Sequence, residues 1–170
     1  MAKTKQATIE EIIQKAVAAQ RIAGERQAQD AFKATEKRLY AYSIIRLKIE
    51  NDRERIDEIR CAGVHTSSKS IVRFQRSGVR LTNEEIEQAQ IQDITAQIAE
   101  DEHEIESIDK ALTVISNDPY AKVIQYKYFE GKNDGEIADL ITCDERTVRR
   151  NKSRLVGRLA VFLYGAEAIG

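Results

Sequence analysis

The chain has 170 residues, of which 32% are charged and only 6% aromatic, with one proline and no tryptophan. This composition argues against a β-sandwich or a mixed α/β core and favours long, solvated helices, so we predict an all-α fold. The formal net charge of -1 excludes a uniformly basic or acidic chain, but it averages over segments of opposite sign.

The cysteine content and the hydropathy pattern indicate where the protein resides. Cys61 and Cys143 are the only thiols and lie far apart in the sequence. Two isolated cysteines do not form a disulfide framework, which favours a reducing compartment. The N-terminus lacks the apolar core of a signal peptide, and no run approaches the roughly 18 apolar residues needed to span a membrane. We therefore expect a soluble cytoplasmic protein with no membrane partner.

The N-terminal region, residues 1–116, is predicted to consist of long helices. Thr8 and Glu11 have the spacing of a capping box, so a first helix is expected to begin near Thr8. Gly24 weakens it, and we expect residues 8–30 to form a separate or frayed helix. From about residue 32 a seven-residue repeat follows. One of its positions holds Tyr42, Ile49 and Ile56, and the other holds Ile45, Asp52 and Ile59.

The charge balance changes sharply in the middle of the chain. Residues 60–81 contain five basic and no acidic side chains, and we predict that they form a basic loop. Residues 82–118 contain eleven acidic residues and one lysine. Thr82 and Glu85 repeat the capping-box spacing and open a second long helix. Its heptad positions hold Ile91, Ile98, Ile105 and Leu112 on one side, and Ile94, Asp101, Ile108 and Ile115 on the other.

Two amphipathic helices joined by about 20 residues predict an antiparallel coiled-coil hairpin. An intermolecular coiled coil, which would make the protein a homo-oligomer, is the alternative. Each apolar seam contains one aspartate, Asp52 or Asp101, and the two lie at similar heights in a hairpin. Their proximity is costly unless water, splaying of the helices or a counter-charge such as His103 or Arg53 relieves it.

A domain boundary is predicted between residues 116 and 117. Asp118 can cap the next helix. Pro119 suits its first position, since proline has no backbone amide hydrogen that would need a partner there. Two further short helices are expected, the first capped by Asn133 and the second by Asp144.

The last two helices have the pattern of a helix-turn-helix domain, residues 117–170. The motif requires an apolar and a small residue on the first helix, anchors around the turn and a β-branched residue on the second helix. These are Ile137, Ala138, Ile141, Cys143 and Val148. Two positions depart from the pattern. Thr142 stands where glycine is usual in the turn, and Asn151 stands where an apolar anchor is common, although Leu155 can replace that contact.

The last helix is predicted to carry a basic face. At about 100° per residue, Val148, Leu155, Leu159 and Phe162 share one side of it. Residues 145–158 contain six basic side chains and one acid, and the arginines project from the opposite side. Because a helix-turn-helix lays its second helix in the major groove, this face is placed for double-stranded DNA. The alternative is a solvated helix face without a ligand.

The stretch PYAKVIQYKYFEGKNDGEIADLITCDERTVRRNKSRLVGRLAVFLYG, residues 119–165, resembles the C-terminal part of phage late-gene transcriptional regulators of the ArpU/RinA type. The helix-turn-helix of that family is similar to region 4 of sigma-70 factors. A weaker resemblance covers residues 36–59. The resemblance implies an activator that binds promoter DNA in the cytoplasm of a bacterial host and engages RNA polymerase.

The resemblance also implies roles for individual residues of the last helix. Base edges would be approached by Glu145, Arg146, Arg149 and Arg150, and phosphates would be held by Lys152 and Arg154. Thr147 and Ser153, on the same helix, complete the predicted DNA-binding set.

Two other function classes stay open. A phage DNA-packaging component, such as a small terminase subunit, also combines a helix-turn-helix with helical oligomerisation, but usually has the DNA-binding module first. A coiled-coil adaptor would use the basic helix to bind protein. The sequence has no phosphate-binding glycine loop and no clustered metal-ligand spacing, and nothing in it argues for catalysis, so no enzymatic activity, metal or other cofactor is expected.

Overall fold

The computed structural model describes the backbone of residues 2–62 and 82–169, and within these ranges the side chains from residue 22 onward except 167. Two long helices, α1 (Ala2–Ala62) and α2 (Asn83–Thr113), precede a C-terminal group of short elements. These are α3 (Lys122–Ile124), a π-helical turn (Gln125–Phe129), α4 (Asp134–Leu140), α5 (Glu145–Tyr164) and a 3-10 turn (Gly165–Ala168). The described residues contain no strand. The predicted all-α class, with a helical hairpin followed by C-terminal helices, is confirmed.

Helix α1 is more continuous than the sequence predicts. It begins at Ala2 instead of near Thr8, and it passes through Gly24 without a break. An interior glycine costs a helix about 1 kcal/mol relative to alanine, which the alanine, glutamine and arginine residues around it can offset. Of the two alternatives predicted for residues 8–30, a separate or a frayed helix, the separate helix is therefore wrong. The side chains of the Thr8 capping box and residues 63–81 of the predicted basic loop lie outside the described residues.

Helix α2 begins with the capping box that its sequence predicts. The Thr82 hydroxyl accepts a hydrogen bond from the Glu85 amide at 3.2 Å, and the Glu85 carboxylate accepts one from the Thr82 amide at 2.8 Å. The amide of Thr82, and then its hydroxyl, lower the pKa of Glu85. Two of the backbone amides that lack an intrahelical partner at a helix start are thereby satisfied.

The chain divides into two compact units, and residues 41–107 form one of them. Its core contains apolar side chains from both heptad repeats, which pack within a single chain. The buried members are Ile49, Ile56, Ile59, Ile94 and Ile98, with Ile45, Ile91 and Ile105 packed against them. The predicted seams therefore meet in an intramolecular hairpin.

Lys48 resolves the conflict between the two seam aspartates. Its ammonium group binds Asp52 Oδ2 at 2.8 Å and also contacts the carboxylate of Asp101. The hydrogen bond to Asp101, followed by the one to Asp52, raises the pKa of Lys48. Arg53, which the sequence suggested as a counter-charge, pairs with Glu102 instead. One cation placed between two carboxylates removes most of their mutual repulsion.

The second unit comprises residues 1–40 together with 108–170. This division differs from the boundary predicted between residues 116 and 117, because the end of α2 and the first part of α1 belong to the C-terminal unit. Fully buried side chains come from all of these parts. They include Thr35, Leu39, Ile108, Ile115, Ile124, Leu155 and Leu159. Whether residues 117–170 fold alone as a domain stays a prediction.

Specific contacts tie α1 to the C-terminal elements within this unit. The Tyr128 hydroxyl donates a hydrogen bond of 2.6 Å to the Glu36 carboxylate, and the Tyr128 ring packs edge-on against Tyr40 with centroids 4.7 Å apart. Burial, and then the bond to Glu36, raise the pKa of Tyr128. Arg38 lies over the ring of Tyr164 in α5. The sequence repeats gave no indication of this second packing surface on α1.

Candidate nucleic-acid interface

Helix α4 is fixed at its start by the predicted capping box. The Asn133 side chain accepts a hydrogen bond from the Glu136 amide at 2.9 Å, and the Glu136 carboxylate accepts one from the Asn133 amide at 2.8 Å. Ile137 and Ala138, the apolar and small pair, are both buried. The motif's first helix is therefore short, but both its cap and its packing face are those that the sequence predicts.

The turn after α4 requires a left-handed residue, and Thr142 occupies that position with φ 55°. The Cys143 amide donates to the Ala138 carbonyl at 3.0 Å, and the Thr142 amide donates to the Asp139 carbonyl at 3.4 Å. These two bonds form a Schellman motif, which normally places glycine at the left-handed position. A β-branched residue is strained there. The departure noted in the sequence is accordingly a departure in residue type and not in the shape of the turn.

Helix α5 buries one face and exposes the other. Val148, Leu155 and Leu159 are completely buried, as predicted, whereas Phe162 is 52% exposed. The placement of Phe162 on the core face was therefore wrong. Asp144 lies at the N-cap position, but its side chain makes no capping hydrogen bond. Instead, the Asp144 carbonyl accepts from the Thr147 amide at 2.9 Å.

The elements before α4 complete a small core beneath the turn. Its buried members are Val123, Ile137, Ala138 and Val148, with Tyr120, Tyr126, Ile141 and Cys143 packed against them. The two predicted anchors of the turn thus contact the expected residues. The preceding helix begins at Lys122 and not at Pro119, because Asp118 to Ala121 form a turn in which the Asp118 carbonyl accepts from the Ala121 amide. Asp118 also accepts from the Tyr120 amide at 3.1 Å.

All eight predicted DNA-binding residues lie on α5. Six are exposed, namely Glu145, Arg146, Arg149, Arg150, Ser153 and Arg154, while Thr147 and Lys152 are half-buried. Their surroundings differ more than the sequence pattern indicates. Arg146 and Arg150 have no ion pair within the described part of the chain. These two guanidinium groups are the ones most directly available to a ligand.

Arg149 is already paired with acidic side chains. Its Nη2 lies 2.6 Å from Glu145 Oε2 on the preceding turn, and its Nε lies 3.6 Å from Asp134 Oδ2 at the start of α4. Asp134 is mostly buried and also binds Lys127 at 2.8 Å. The hydrogen bond from Lys127, followed by the nearby charges of Lys127, Lys152 and Arg149, lowers the pKa of Asp134.

Arg154 is held in a separate network at the other end of the basic face. Its guanidinium binds both carboxylate oxygens of Asp118 at 2.7 and 2.8 Å and also donates to Asn151. Arg158 reaches the same carboxylate at 3.3 Å and donates to the Val114 carbonyl at 3.1 Å. The Arg154 hydrogen bonds are the main cause that lowers the pKa of Asp118 to about 2.

Sequence reasoning missed this network because its members are distant along the chain. Asn151 looked like a missing apolar anchor, but it is buried and satisfied, since it donates to the Thr147 carbonyl at 3.0 Å and accepts from Arg154. The one available signal was the spacing of Arg154 and Arg158, one helical turn apart. Arg154 therefore fixes α5 to the segment after α2, a role distinct from the predicted contact with phosphate.

No helix in the described ranges is both long and apolar enough to cross a lipid bilayer. No protein-family model, curated protein or solved structure gives a significant match to this chain. The resemblance to ArpU/RinA-type regulators therefore stays a prediction, and the geometry of α4, the turn and α5 carries the functional argument.

Proposed function

We propose that the protein is a sequence-specific DNA-binding transcriptional regulator, and that α5 is the helix that enters the major groove. The observation that carries this proposal is that Arg146 and Arg150 are exposed and have no ion pair among the residues that the structure describes, on a helix that buries Val148, Leu155 and Leu159 on its other face. A helix presented in this way after a tight turn is the usual means of reading base edges.

The positive charge concentrated on α5 is a second observation that supports the proposal. Residues 145–158 carry six basic side chains and one acid, whereas the chain as a whole has a formal net charge of -1. A local basic surface attracts the phosphate backbone irrespective of sequence, and arginine is the residue best suited to bidentate recognition of guanine. Lys152, half-buried beside this face, is suited to a phosphate contact.

The resemblance to ArpU/RinA-type regulators supports a finer form of the proposal. In that form the protein activates phage late genes together with host RNA polymerase. A polymerase-contacting or oligomerising role for the helical hairpin belongs to the same proposal.

Selection of duplexes from a random pool tests the proposal. We expect a defined consensus sequence, and we expect Arg150→Ala to lose about 1 to 3 kcal/mol of discrimination between the selected duplex and a scrambled one. Lys152→Ala should weaken both duplexes alike and lower the log-log salt slope by about one. Arg46→Ala, in α1, removes the same charge outside the proposed interface and serves as the matched control.

The outcome that contradicts the proposal is also clear. If Arg146→Ala and Arg150→Ala stay folded and bind the selected duplex as tightly and selectively as the parent, α5 does not read DNA. The adaptor function, in which the basic helix binds protein, then takes its place.

A further inference from the structure

Two helices, α4 and α5, supply the acidic partners of Arg149. Glu145 and Arg149 lie one turn apart on α5, while Asp134 approaches from the first residue of α4. Gly135 permits this approach: a Cβ at that position would lie 3.3 Å from Glu145 Oε1. The Glu145 carboxylate therefore sits over the start of α4 while its other oxygen binds Arg149.

The network gives Arg149 an acidic partner for which a ligand must compete. Glu145 compensates its charge directly, and Lys127 and Asp134 compensate each other at 2.8 Å. Arg146 and Arg150 have no such acidic partner among the described residues. The basic face thus contains one arginine that is paired with an acidic side chain, Arg149, and two that are not, Arg146 and Arg150.

We propose that Glu145 is a specificity-determining residue, because it competes with DNA for Arg149 and releases it only to a bidentate base contact. This inference rests on the proposed function. A single phosphate contact is of similar strength to an exposed carboxylate contact, so non-specific DNA gains little by breaking the pair. Two parallel hydrogen bonds from Arg149 to guanine are stronger than its exposed ion pair with Glu145. The intramolecular pair therefore subtracts more affinity from scrambled duplexes than from the selected site.

A direct role of Glu145 in base reading makes a different prediction. A carboxylate that accepts a hydrogen bond from cytosine N4 contributes to the selected complex alone. Its removal would weaken the selected duplex and leave scrambled duplexes unaffected. Competition for Arg149 instead predicts that removal of the carboxylate strengthens scrambled duplexes more than the selected one.

The test compares Glu145→Gln with Asp144→Asn, using the selected duplex and a scrambled duplex over a range of salt concentrations. Asp144 is the adjacent exposed carboxylate and has no side-chain capping bond, so its variant measures the general effect of removing one negative charge. We expect Glu145→Gln to strengthen scrambled binding about twofold to fivefold beyond Asp144→Asn. Its salt slope should steepen by about one, because Arg149 becomes available to phosphate.

A double-mutant cycle with Arg149→Ala isolates the coupling. In that background Glu145→Gln should have no effect beyond that of Asp144→Asn. If Glu145→Gln and Asp144→Asn are equivalent in the presence of Arg149, or if only the selected duplex is weakened, the competition is refuted while DNA binding stands. If the parent chain binds neither duplex, the proposed function and this inference both fail.

Discussion

At the scale of single residues, two positions have unusual surroundings: Thr142 has a strained backbone conformation, and Asp118 is a buried carboxylate paired with arginines. Thr142 adopts φ 55° in the turn between α4 and α5, and its side chain is exposed. The two Schellman hydrogen bonds hold the backbone there although the residue type disfavours it. Asp118, in contrast, is placed favourably, since its side chain is 8% exposed and faces two arginines.

Relief of the strain at Thr142 should stabilise the protein. We expect Thr142→Gly to raise the free energy of unfolding by about 1 kcal/mol, because glycine adopts a positive φ without steric cost and part of the gain is offset by its greater freedom in the unfolded chain. Thr142→Ala removes the same exposed side chain but keeps a Cβ, and it is the control. Chemical denaturation measures both variants. Equal stabilities of the two would show that the backbone is not strained.

Protonation of Asp118 should loosen α5. Its pKa in the folded protein, about 2, lies below the ordinary value of 3.8. The stabilisation is therefore fully present above the ordinary value and is lost as the pH falls toward 2. We expect Asp118→Asn to be less stable than the parent by on the order of 1 to 2 kcal/mol at neutral pH, a figure reduced by the partial exposure of both arginines.

The pH dependence separates this effect from a simple loss of packing. The stability difference between the parent and Asp118→Asn should shrink as the pH falls through this window, in thermal melts followed by circular dichroism. Asp144→Asn removes an exposed carboxylate and is the control for the loss of one negative charge. A difference that is constant with pH would exclude the ion pairs with Arg154 and Arg158 as its source.

At the scale of elements, the heptad repeats predicted the apolar seam of both long helices correctly, but they did not indicate the contacts that α1 makes in the C-terminal unit. Periodicity reports which residues of a helix share a face, so the seam from Ile45 to Ile59 was readable from the sequence. It does not report which partner covers a face. Leu39 is buried in the C-terminal unit although it lies outside the heptad positions of α1.

Two leucines of α1 test its contacts in the C-terminal unit. Leu39 is 2% exposed and Leu47 is 57% exposed. We expect Leu39→Ala to cost about 2 to 5 kcal/mol of unfolding free energy, because it creates a cavity in a packed core. Leu47→Ala makes the same chemical change in the same helix and should cost less than about 0.5 kcal/mol. Similar melting temperatures for the two variants would show that the first part of α1 does not contribute to the core.

The candidate interface was predictable to the extent that it depends on local sequence. The capping box at Asn133, the buried Val148 and Leu155, and the exposed arginines all follow from spacing within one or two helical turns. The acidic partners of the arginines cannot be predicted from such local spacing. Arg154 finds Asp118 and Arg149 finds Asp134 only after the chain has folded. The sequence therefore indicated which side chains face outward, but not which of them already form ion pairs within the chain.

At the scale of the whole molecule, the two units have separate cores, and we expect only one of them to contact DNA. The hairpin of residues 41–107 is held by the isoleucine seam and by Lys48, whereas every predicted DNA contact lies in the unit that contains α5. The isoleucine seam of the hairpin is buried within one chain. DNA binding should accordingly depend on one core and not on the other.

A matched pair of core truncations tests this separation. Ile98 is 8% exposed in the hairpin and Leu155 is completely buried in α5, so alanine at either position should cost about 2 to 5 kcal/mol in its own unit. We expect Ile98→Ala to reduce amide hydrogen-exchange protection within 41–107 while affinity for the selected duplex stays unchanged, and Leu155→Ala to abolish binding. Light scattering on the parent and on Ile98→Ala gives the mass of each species. If Ile98→Ala weakens DNA binding as strongly as Leu155→Ala while α5 keeps its protection, and the parent but not the variant is a dimer, the hairpin acts through oligomerisation and contributes avidity to binding.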